Sequence, residues 1–230
     1  MKSFVSSYAH HYRAFRPPLH YLILKNCLGK RKFKKTLDIG CGVGNSTIAL
    51  TNFSKKVIGY DINKEMLKNA LQHKRVSYID EWSNIKYDLL CFFGSLNYIQ
   101  QNEIHNFLNV LKPSGYIICC DFKIFYNRFT DFLNLKIIKN KYDYEKNLGS
   151  YNLAKEIKQI NSDSMLLNFD CNIKEFVHLI LTEKNIKNVL IDLMGEKELD
   201  IKIEKKIGRL INSEKLNLDA MGYYTLHKKI

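Results

Sequence analysis

Short apolar runs alternate along the first half of the chain with segments whose apolar residues recur at helical spacing. An apolar run of about four to eight residues is typical of a buried strand, whereas apolar residues three and four positions apart are typical of an amphipathic helix. The pattern predicts helices over 19–28, 45–53, 63–73 and 103–111. It predicts strands over 36–39, 57–61, 76–79, 87–93 and 115–122.

Strands that alternate with helices in this way predict an α/β fold with a parallel sheet. The rhythm changes after residue 122, because residues 123–164 are polar and aromatic with weak helical periodicity. We interpret them as a helical cap insertion after strand five. The remainder predicts strands over 165–170 and 222–227 and helices over 173–193 and 199–211. The expected fold is a Rossmann-like, seven-stranded, mostly parallel sheet with helices on both faces.

A glycine-rich turn, Gly40 to Gly44, joins the first predicted strand to the helix that follows it. Glycines permit a positive φ and let the backbone approach a ligand closely. The Gly-x-Gly-x-x-Gly spacing of dinucleotide folds is not met, because Asn45 stands at its third position, and no Gly-Lys-Ser/Thr of a Walker loop follows. Asp61 closes the second strand, where α/β nucleotide folds place a carboxylate that accepts both hydroxyls of a ribose. The pattern predicts a ligand with an unphosphorylated ribose.

The turn with the residues before it, Leu37-Asp38-Ile39-Gly40-Cys41-Gly42-Val43-Gly44, resembles the first motif of class I methyltransferases that depend on S-adenosylmethionine (SAM). Residues 57–67 resemble their second motif, and the resemblance extends through 87–90, 94–98 and 108–115. It implies an enzyme with SAM as cofactor and S-adenosylhomocysteine (SAH) as product. The segment Tyr12-Arg13-Ala14-Phe15-Arg16-Pro17 resembles the Tyr-x-x-x-Arg-Pro of small-molecule members, notably the trans-aconitate methyltransferase-like group.

The resemblance also implies roles for individual residues. Asp38 would contact the amino end of the SAM methionine, Gly40 and Gly42 would pass beneath its methionine and ribose parts, and Asp61 would hold the ribose. Two acidic residues would lie beside the adenine, although the family has Gly-Asp-Ala there and a longer loop. The predicted cofactor-binding residues are Asp38, Gly40, Cys41, Gly42, Gly44, Asp61, Ile62, Met66, Asp80, Glu81 and Phe93.

The acceptor side is predicted from residues outside these motifs. Arg16, in the extended geometry of Arg-Pro, can reach an anionic substrate. Asp121 ends strand five, where ligands gather in open sheets, and with His11 it is a candidate base for an acceptor that must lose a proton. A carboxylate acceptor needs no base. The predicted substrate contacts are Tyr8, Tyr12, Arg16, Asn97 and Tyr98, and the further candidate bases are His10 and His105.

The charge of the chain leaves the acceptor class open. A net charge of +13 suits a nucleic-acid partner, but the lysines are scattered and no arginine-rich cluster occurs. The Asp/Asn-Pro-Pro-Tyr of base-amine methyltransferases and the Pro-Cys of cytosine-C5 enzymes are both missing from the sequence. We therefore favour a small-molecule acceptor. An RNA or protein methyltransferase is one alternative, and a non-catalytic partner protein of the same fold is another.

Other features of the sequence bear on compartment, metal content and organisation. Six cysteines without an export signal predict reduced thiols in a cytoplasmic protein, and no apolar run is long enough for a membrane span. No Cys-x-x-Cys or His-x-x-x-His occurs, so no metal site is predicted. We expect one domain over 1–230, consisting of an N-terminal lid and helix (1–30), a cofactor-binding core (36–122), the cap insertion (123–164) and C-terminal strands and helices (165–230).

Overall fold

The structure is a computed structural model that describes residues 9–81, 84–136, 142–209 and 215–230, without the side chains of Arg128 and Phe132. Its helices are α1 (9–14), α2 (Leu19–Leu28), α3 (Asn45–Leu50), α4 (Lys64–Lys68), α5 (Gln101–Val110), α6 (Asn127–Phe132), α7 (Ile173–Leu181), α8 (Lys184–Met194) and α9 (Leu199–Gly208). Its strands are β1 (Phe33–Ile39), β2 (Ser54–Tyr60), β3 (Val76–Ile79), β4 (Tyr87–Phe93), β5 (Leu111–Ile124), β6 (Ile157–Asn172) and β7 (Lys215–Lys229). Two 3₁₀ turns cover Leu96–Tyr98 and Leu148–Ser150.

The seven strands form one sheet in the order β3-β2-β1-β4-β5-β7-β6. Strand β1 pairs in parallel with β2 and β4, β2 with β3, and β4 with β5. The predicted Rossmann-like sheet of seven mostly parallel strands is therefore confirmed. Parallel pairing also accounts for the near-continuous apolar runs in β1, β2 and β4, because such strands are covered on both faces.

The register of the sheet aligns the carboxyl ends of the central strands. Ile39 lies opposite Tyr60 of β2 and opposite Phe92 of β4, while Phe93 lies opposite Cys120 of β5. The residues that come next after these paired positions consequently share one edge of the sheet. They are Gly40, Asp61, Gly94 and Asp121, of which Asp121 lies inside β5 and does not end it as the sequence predicted. Ligands of open α/β sheets bind at this edge.

Helices pack on both faces of the central strands. Residues that lie opposite each other on neighbouring strands point to the same face of the sheet, so Ile39 and Phe92 share a face. Both belong to an apolar cluster with Phe107 of α5. Successive residues of one strand point to opposite faces. Phe93 lies on the opposite face, where its ring centroid is 4.4 Å from that of His20 of α2. The predicted helix over 19–28 has the bounds of α2.

The second half of the chain differs from its prediction in extent. Strand β6 begins at Ile157 rather than 165, and β7 begins at 215 rather than 222. The described part of 123–164 therefore holds the last two residues of β5, α6, one 3₁₀ turn and the first half of β6, so the prediction of a helical cap is wrong for residues 157–164. The sequence pattern did not reveal the first half of β6, because this strand is mostly exposed and a strand without a buried face shows no apolar alternation.

Strand β5 also begins earlier than predicted. The segment Lys112-Pro113-Ser114-Gly115, which follows the predicted helix over 103–111, contains residues that favour turns but lies within β5. The register there is irregular, since Tyr87 pairs with Leu111 and the next paired residue, Leu89, faces Tyr116. Ser114 adopts a positive φ of 57°. The turn-forming residues thus produce a bulge in a continuous strand instead of ending it.

The described residues group into two compact units, and the single domain over 1–230 stays a prediction. The first unit takes its described residues from 9–17, 124–136, 166–209 and 215–220, and the second takes them from 18–81, 84–123, 142–165 and 221–230. Each unit is assembled from separated stretches, so periodicity along the chain could not reveal the division. None of the helices in the described part of the chain combines the length and apolar character that a membrane span requires.

Candidate active site

The Asp61 carboxylate organises the glycine turn in the second unit. Its Oδ2 accepts a hydrogen bond from the backbone N–H of Gly42 at 2.7 Å, and its Oδ1 accepts one from the N–H of Asn63 at 2.8 Å. Asn63 in turn caps α4, because its side chain accepts the N–H groups of Glu65 and Met66. Each carboxylate oxygen retains acceptor capacity for a further donor, which is what two ribose hydroxyls require.

The glycines of the turn have different neighbours. All three have positive φ values: 70° for Gly40, 55° for Gly42 and 87° for Gly44. A Cβ added to Gly40 would overlap Ser95, and one added to Gly44 would overlap Tyr78. At Gly42, no described atom would lie within 4 Å of an added Cβ. Gly40 and Gly44 are therefore needed for packing, whereas Gly42 borders open space that a ligand can fill.

Asp38 is completely buried behind the turn. Its Oδ2 accepts hydrogen bonds from Ser46 Oγ at 2.7 Å and Thr47 Oγ1 at 2.6 Å, while its Oδ1 is buried and accepts none from any described residue. Burial raises the pKa of Asp38 to about 6, although both hydroxyls favour the charged form. An unsatisfied buried carboxylate oxygen is costly and fits a cationic ligand group. The amino end of a SAM methionine is such a group.

We expect Asp38 to make the apoprotein less stable as the pH rises from about 4 to about 6. The unfolded carboxyl ionises at its ordinary pKa of 3.8, while the native carboxyl remains protonated until about pH 6. The two-unit difference corresponds to about 3 kcal/mol of unfolding free energy. Urea unfolding of the wild type and the Asp38→Asn variant between pH 4 and 7 measures this contribution as the difference between their slopes. Parallel pH profiles for the two proteins would contradict it.

The predicted adenine side is only partly assembled around the turn. Ile62, directly after Asp61, exposes 78% of its surface. Asp80 pairs with Lys64 at 2.9 Å on the surface, and Glu81 is exposed. Met66 is half-buried on α4. The roles of Asp80 and Glu81 toward adenine, and of Ile62 and Met66 as cofactor contacts, stay predictions.

Two other predicted cofactor residues are buried. The Cys41 thiol lies 3.7 Å from the carbonyl oxygen of Gly42, and burial raises its pKa well above the ordinary value, so it is a neutral part of the turn. Phe93 ends β4 between the rings of His20 and Phe122. All six cysteines of the chain are buried free thiols.

The acceptor side contains a cluster that we call the Tyr142 cluster: Gly94, Asn97, Tyr98, Asp121 and Tyr142. The Tyr142 hydroxyl lies 2.6 Å from the carbonyl oxygen of Gly94 and 2.8 Å from Asp121 Oδ2. Asn97 donates a hydrogen bond to the backbone carbonyl of Asp143, and the Tyr98 ring, 75% exposed, lies 6.2 Å from the Tyr142 ring. The structure thus brings Asn97, Tyr98 and Asp121 together as predicted substrate-side residues.

Tyr142 was not predicted from the sequence. It is remote in the chain from the motifs, and only the aromatic run Tyr142-Asp143-Tyr144 in a polar segment marked it. Burial and the neighbouring charge of Asp121 raise its pKa well above the ordinary tyrosine value. The hydroxyl therefore remains protonated at neutral pH and can donate to the Asp121 carboxylate.

The N-terminal candidates lie in the first unit, in which Tyr8 falls outside the described residues. The Arg16 guanidinium stacks over the Tyr12 ring at 4.3 Å and donates to Thr182 Oγ1 at 3.3 Å. His11 lies against His178, with 2.9 Å between their Nδ1 atoms. Burial, with smaller contributions from His178 and His10, lowers the pKa of His11 to about 4. Such a weak base is poorly matched to proton removal at neutral pH.

A polar cavity of about 410 Å³ lies in the second unit. Cys119 and Cys120, which precede Asp121 in the sequence, line part of its wall. Tyr144, two positions after Tyr142, lines another part. Asp163 and Tyr224 line other parts of the wall. The volume is that of a small-molecule pocket.

A Rossmann-like sheet with a carboxylate at the end of its second strand, beside the first glycine turn, is typical of proteins that bind a nucleotide cofactor. A family model described as a methyltransferase domain matches residues 30–191, and the chain belongs to this family. The match includes the turn, Asp61 and the Tyr142 cluster. It supports the sequence-based prediction that SAM is the cofactor.

Individual relatives agree with the family and the fold. A protein of Dictyostelium discoideum that carries the name of a methyltransferase is 26% identical over 166 residues, which span 66% of this chain and 60% of that protein. A solved structure from Anaeromyxobacter dehalogenans, described as a type II methyltransferase, is 13% identical, with 93% of this chain and 97% of that one covered and a TM-score of 0.60. Another solved structure, from Bacillus halodurans, is 13% identical, with 90% of this chain and 97% of that one covered and a TM-score of 0.51. These two structures show the fold alone.

Proposed function

We propose that the protein transfers the methyl group of SAM to a nucleophilic oxygen or nitrogen of a small molecule. The observation that carries this proposal is the register of the sheet. It aligns the strand ends that lead to Gly40 and Asp61, on the cofactor side, with those that lead to Gly94 and Asp121, on the acceptor side. A donor and an acceptor bound at one edge would be held for direct transfer, which is the main contribution such an enzyme has to make.

The cofactor would be held by groups already in place. Asp61 would accept the ribose hydroxyls, the open face at Gly42 would let the cofactor lie against the backbone, and Asp38 Oδ1 would accept the amino group. The bound cofactor supplies an activated methyl group on a sulfonium, which leaves as the thioether of SAH. The trans-aconitate-like subtype rests on the Tyr12–Pro17 segment alone and stays part of the proposal.

The Tyr142 cluster would position the acceptor and manage its proton. Asp121 can accept a proton from a hydroxyl or an ammonium group, and Tyr142 fixes the orientation of its carboxylate through the 2.8 Å hydrogen bond. Asn97 and Tyr98 offer an amide and an exposed ring beside it. A cavity of small-molecule size on the same unit supports a small acceptor.

A second candidate acceptor is RNA or another polyanion. In the first unit, four cations line one surface cavity on and after α9: Lys202, Lys205, Lys206 and Arg209. A concentrated group of cations favours binding to phosphates and makes the affinity fall steeply with salt. If the acceptor is a small molecule, as we propose, these four cations do not contribute to turnover.

The experiment that tests the function measures SAH production with a panel of acceptors. The panel contains small amines, phenols and carboxylates, together with total RNA and a protein mixture. We expect turnover with one class of small molecule and none with RNA or protein. Tyr142→Phe and Asp121→Asn should lower kcat about 10- to 1,000-fold for an acceptor that loses a proton, with unchanged affinity for SAH. Tyr116→Phe, distant along β5 from the cluster, is the matched control.

The outcomes separate the candidates. A variant in which the four cations on and after α9 are all replaced by alanine tests the second candidate. Turnover of RNA by the wild type that is lost in this variant would replace the small-molecule proposal with the second one. Tight SAH binding without turnover of any acceptor would favour the non-catalytic alternative. Equal kcat values for Tyr142→Phe and Tyr116→Phe would remove the Tyr142 cluster from the acceptor site.

A further inference from the structure

Three histidines meet in the first unit, although they come from distant parts of the chain. His10 and His11 lie on α1, and His178 lies on α7. The Nδ1 atoms of His11 and His178 are 2.9 Å apart, and the nearest potential ligand atoms of all three rings lie within 4.8 Å of one another. Ring centroids are separated by 5.2 to 5.6 Å in all three pairs. The rings therefore converge on one point.

This separation is close to what a shared metal ion requires. Imidazole nitrogens bind Zn²⁺ at about 2.0–2.1 Å, so two of them on one tetrahedral ion lie roughly 3.3 Å apart. The His11 and His178 nitrogens already lie near that distance. His10 is exposed and can rotate inward by the small amount that the third bond needs.

We propose that His10, His11 and His178 form a binding site for one divalent transition-metal ion, with Zn²⁺ as the first candidate. Neutral imidazole is the nitrogen ligand preferred by Zn²⁺, Cu²⁺ and Ni²⁺, whereas Mg²⁺ and Ca²⁺ select oxygen ligands. Three protein ligands leave a fourth position of a tetrahedral ion open to water or to a ligand group. No metal site was predicted, because motifs for metal ligands are closely spaced in sequence and His178 is 167 positions from His11.

Charged side chains of both signs act on the rings. Asp200 of α9 acts electrostatically on both His11 and His178, and Glu204 of the same helix acts on His178. Lys187 of α8 opposes Asp200 at His11 and has the larger effect there. The two carboxylates on α9 would attract a cation at His178.

The ion would connect two segments that only the fold brings together. His11 and His178 are separated by 167 positions in the sequence. An ion that binds only the assembled histidines stabilises the native state according to its affinity and concentration. It would fix α1, and with it the segment that carries Tyr12 and Arg16, against α7. This inference does not depend on the proposed methyl transfer.

The test uses the full-length chain without a polyhistidine tag, freed of metal by chelation. Titration with Zn²⁺ against a chromophoric chelator should give one equivalent per chain with a Kd of 1 μM or lower. Co²⁺ should produce the visible absorption of a four- or five-coordinate site. His11→Gln and His178→Gln should each weaken Zn²⁺ binding at least 30-fold and remove the Co²⁺ absorption. The matched controls are His73→Gln and His105→Gln in the second unit, which should bind Zn²⁺ as the wild type does.

Far-ultraviolet circular dichroism and the cooperativity of urea unfolding report whether each variant is folded. Wild-type protein that binds no Zn²⁺ more tightly than about 100 μM would overturn the proposal. Folded His11→Gln and His178→Gln variants with wild-type affinity would overturn it as well. An equal loss of affinity in the His73→Gln or His105→Gln control would do the same.

Discussion

The Asp61→Ala variant is expected to bind SAH at least 100-fold more weakly than the wild type. The carboxylate has two tasks, because it holds the N–H groups of Gly42 and Asn63 and also retains acceptor capacity for a ribose. A hydrogen bond to a charged group contributes about 1.5–3 kcal/mol. The variant loses both the ribose hydrogen bonds and the support of the turn, so we expect the binding free energy of SAH to weaken by more than about 2.7 kcal/mol, which corresponds to 100-fold in Kd. Calorimetric titration with SAH, followed by thermal shift at saturating SAH, measures the effect.

The control for this variant is Asp88→Ala. Asp88 also accepts a backbone N–H, that of Lys35 at 2.8 Å, and it pairs with Lys112 at 2.7 Å, but it lies near the amino end of β4. Both substitutions remove a partly buried carboxylate that supports the backbone, and both should cost some stability. Only Asp61→Ala should lose SAH. If the two variants bound SAH equally well, Asp61 would be a structural residue and the ribose assignment would be wrong.

The part of the site that could be predicted from the sequence is the part encoded by neighbouring residues. The glycine turn, Asp61 and the ends of β4 and β5 each follow an apolar run, and parallel strands place their carboxyl ends together by geometry alone. Knowing that these are consecutive parallel strands was sufficient to expect Asp61, Asn97 and Asp121 at one edge. The carboxyl ends of β1 to β4 agree with the apolar runs to within one residue, whereas β1 and β2 each begin three residues earlier than predicted and α4 ends five residues earlier.

The rest depends on contacts between residues that are distant in the sequence. Tyr142 reaches Asp121 from a polar segment with no periodicity, and His178 reaches His11 across most of the chain. Nothing in either local pattern encodes these contacts. The long strand β6 was also foreshortened in the prediction, because most of its side chains are exposed and only pairing with β7 makes it a strand.

The Gly42→Ala variant is expected to remain folded and to lose SAH binding by at least 100-fold. A methyl group at Gly42 meets no described atom within 4 Å, so the protein itself does not oppose it except through the positive φ of 55°. That conformation costs about 1–2 kcal/mol for an alanine. The space that the methyl group would occupy is the space through which the proposed cofactor passes. Urea unfolding and SAH titration of the same preparation separate the two effects.

Gly29→Ala provides a closely matched comparison. Gly29 follows α2 with a φ of 56°, and there too no described atom would lie within 4 Å of an added Cβ. Both variants should lose stability because of their positive φ values, while Gly29→Ala should bind SAH within twofold of the wild type. Wild-type SAH affinity in Gly42→Ala would mean that the cofactor does not cross this face of the turn. Combined with a large loss in Asp61→Ala, that result would assign Asp61 to the support of the turn rather than to the ribose, because a ribose held by Asp61 must lie beside the Gly42 backbone that it binds.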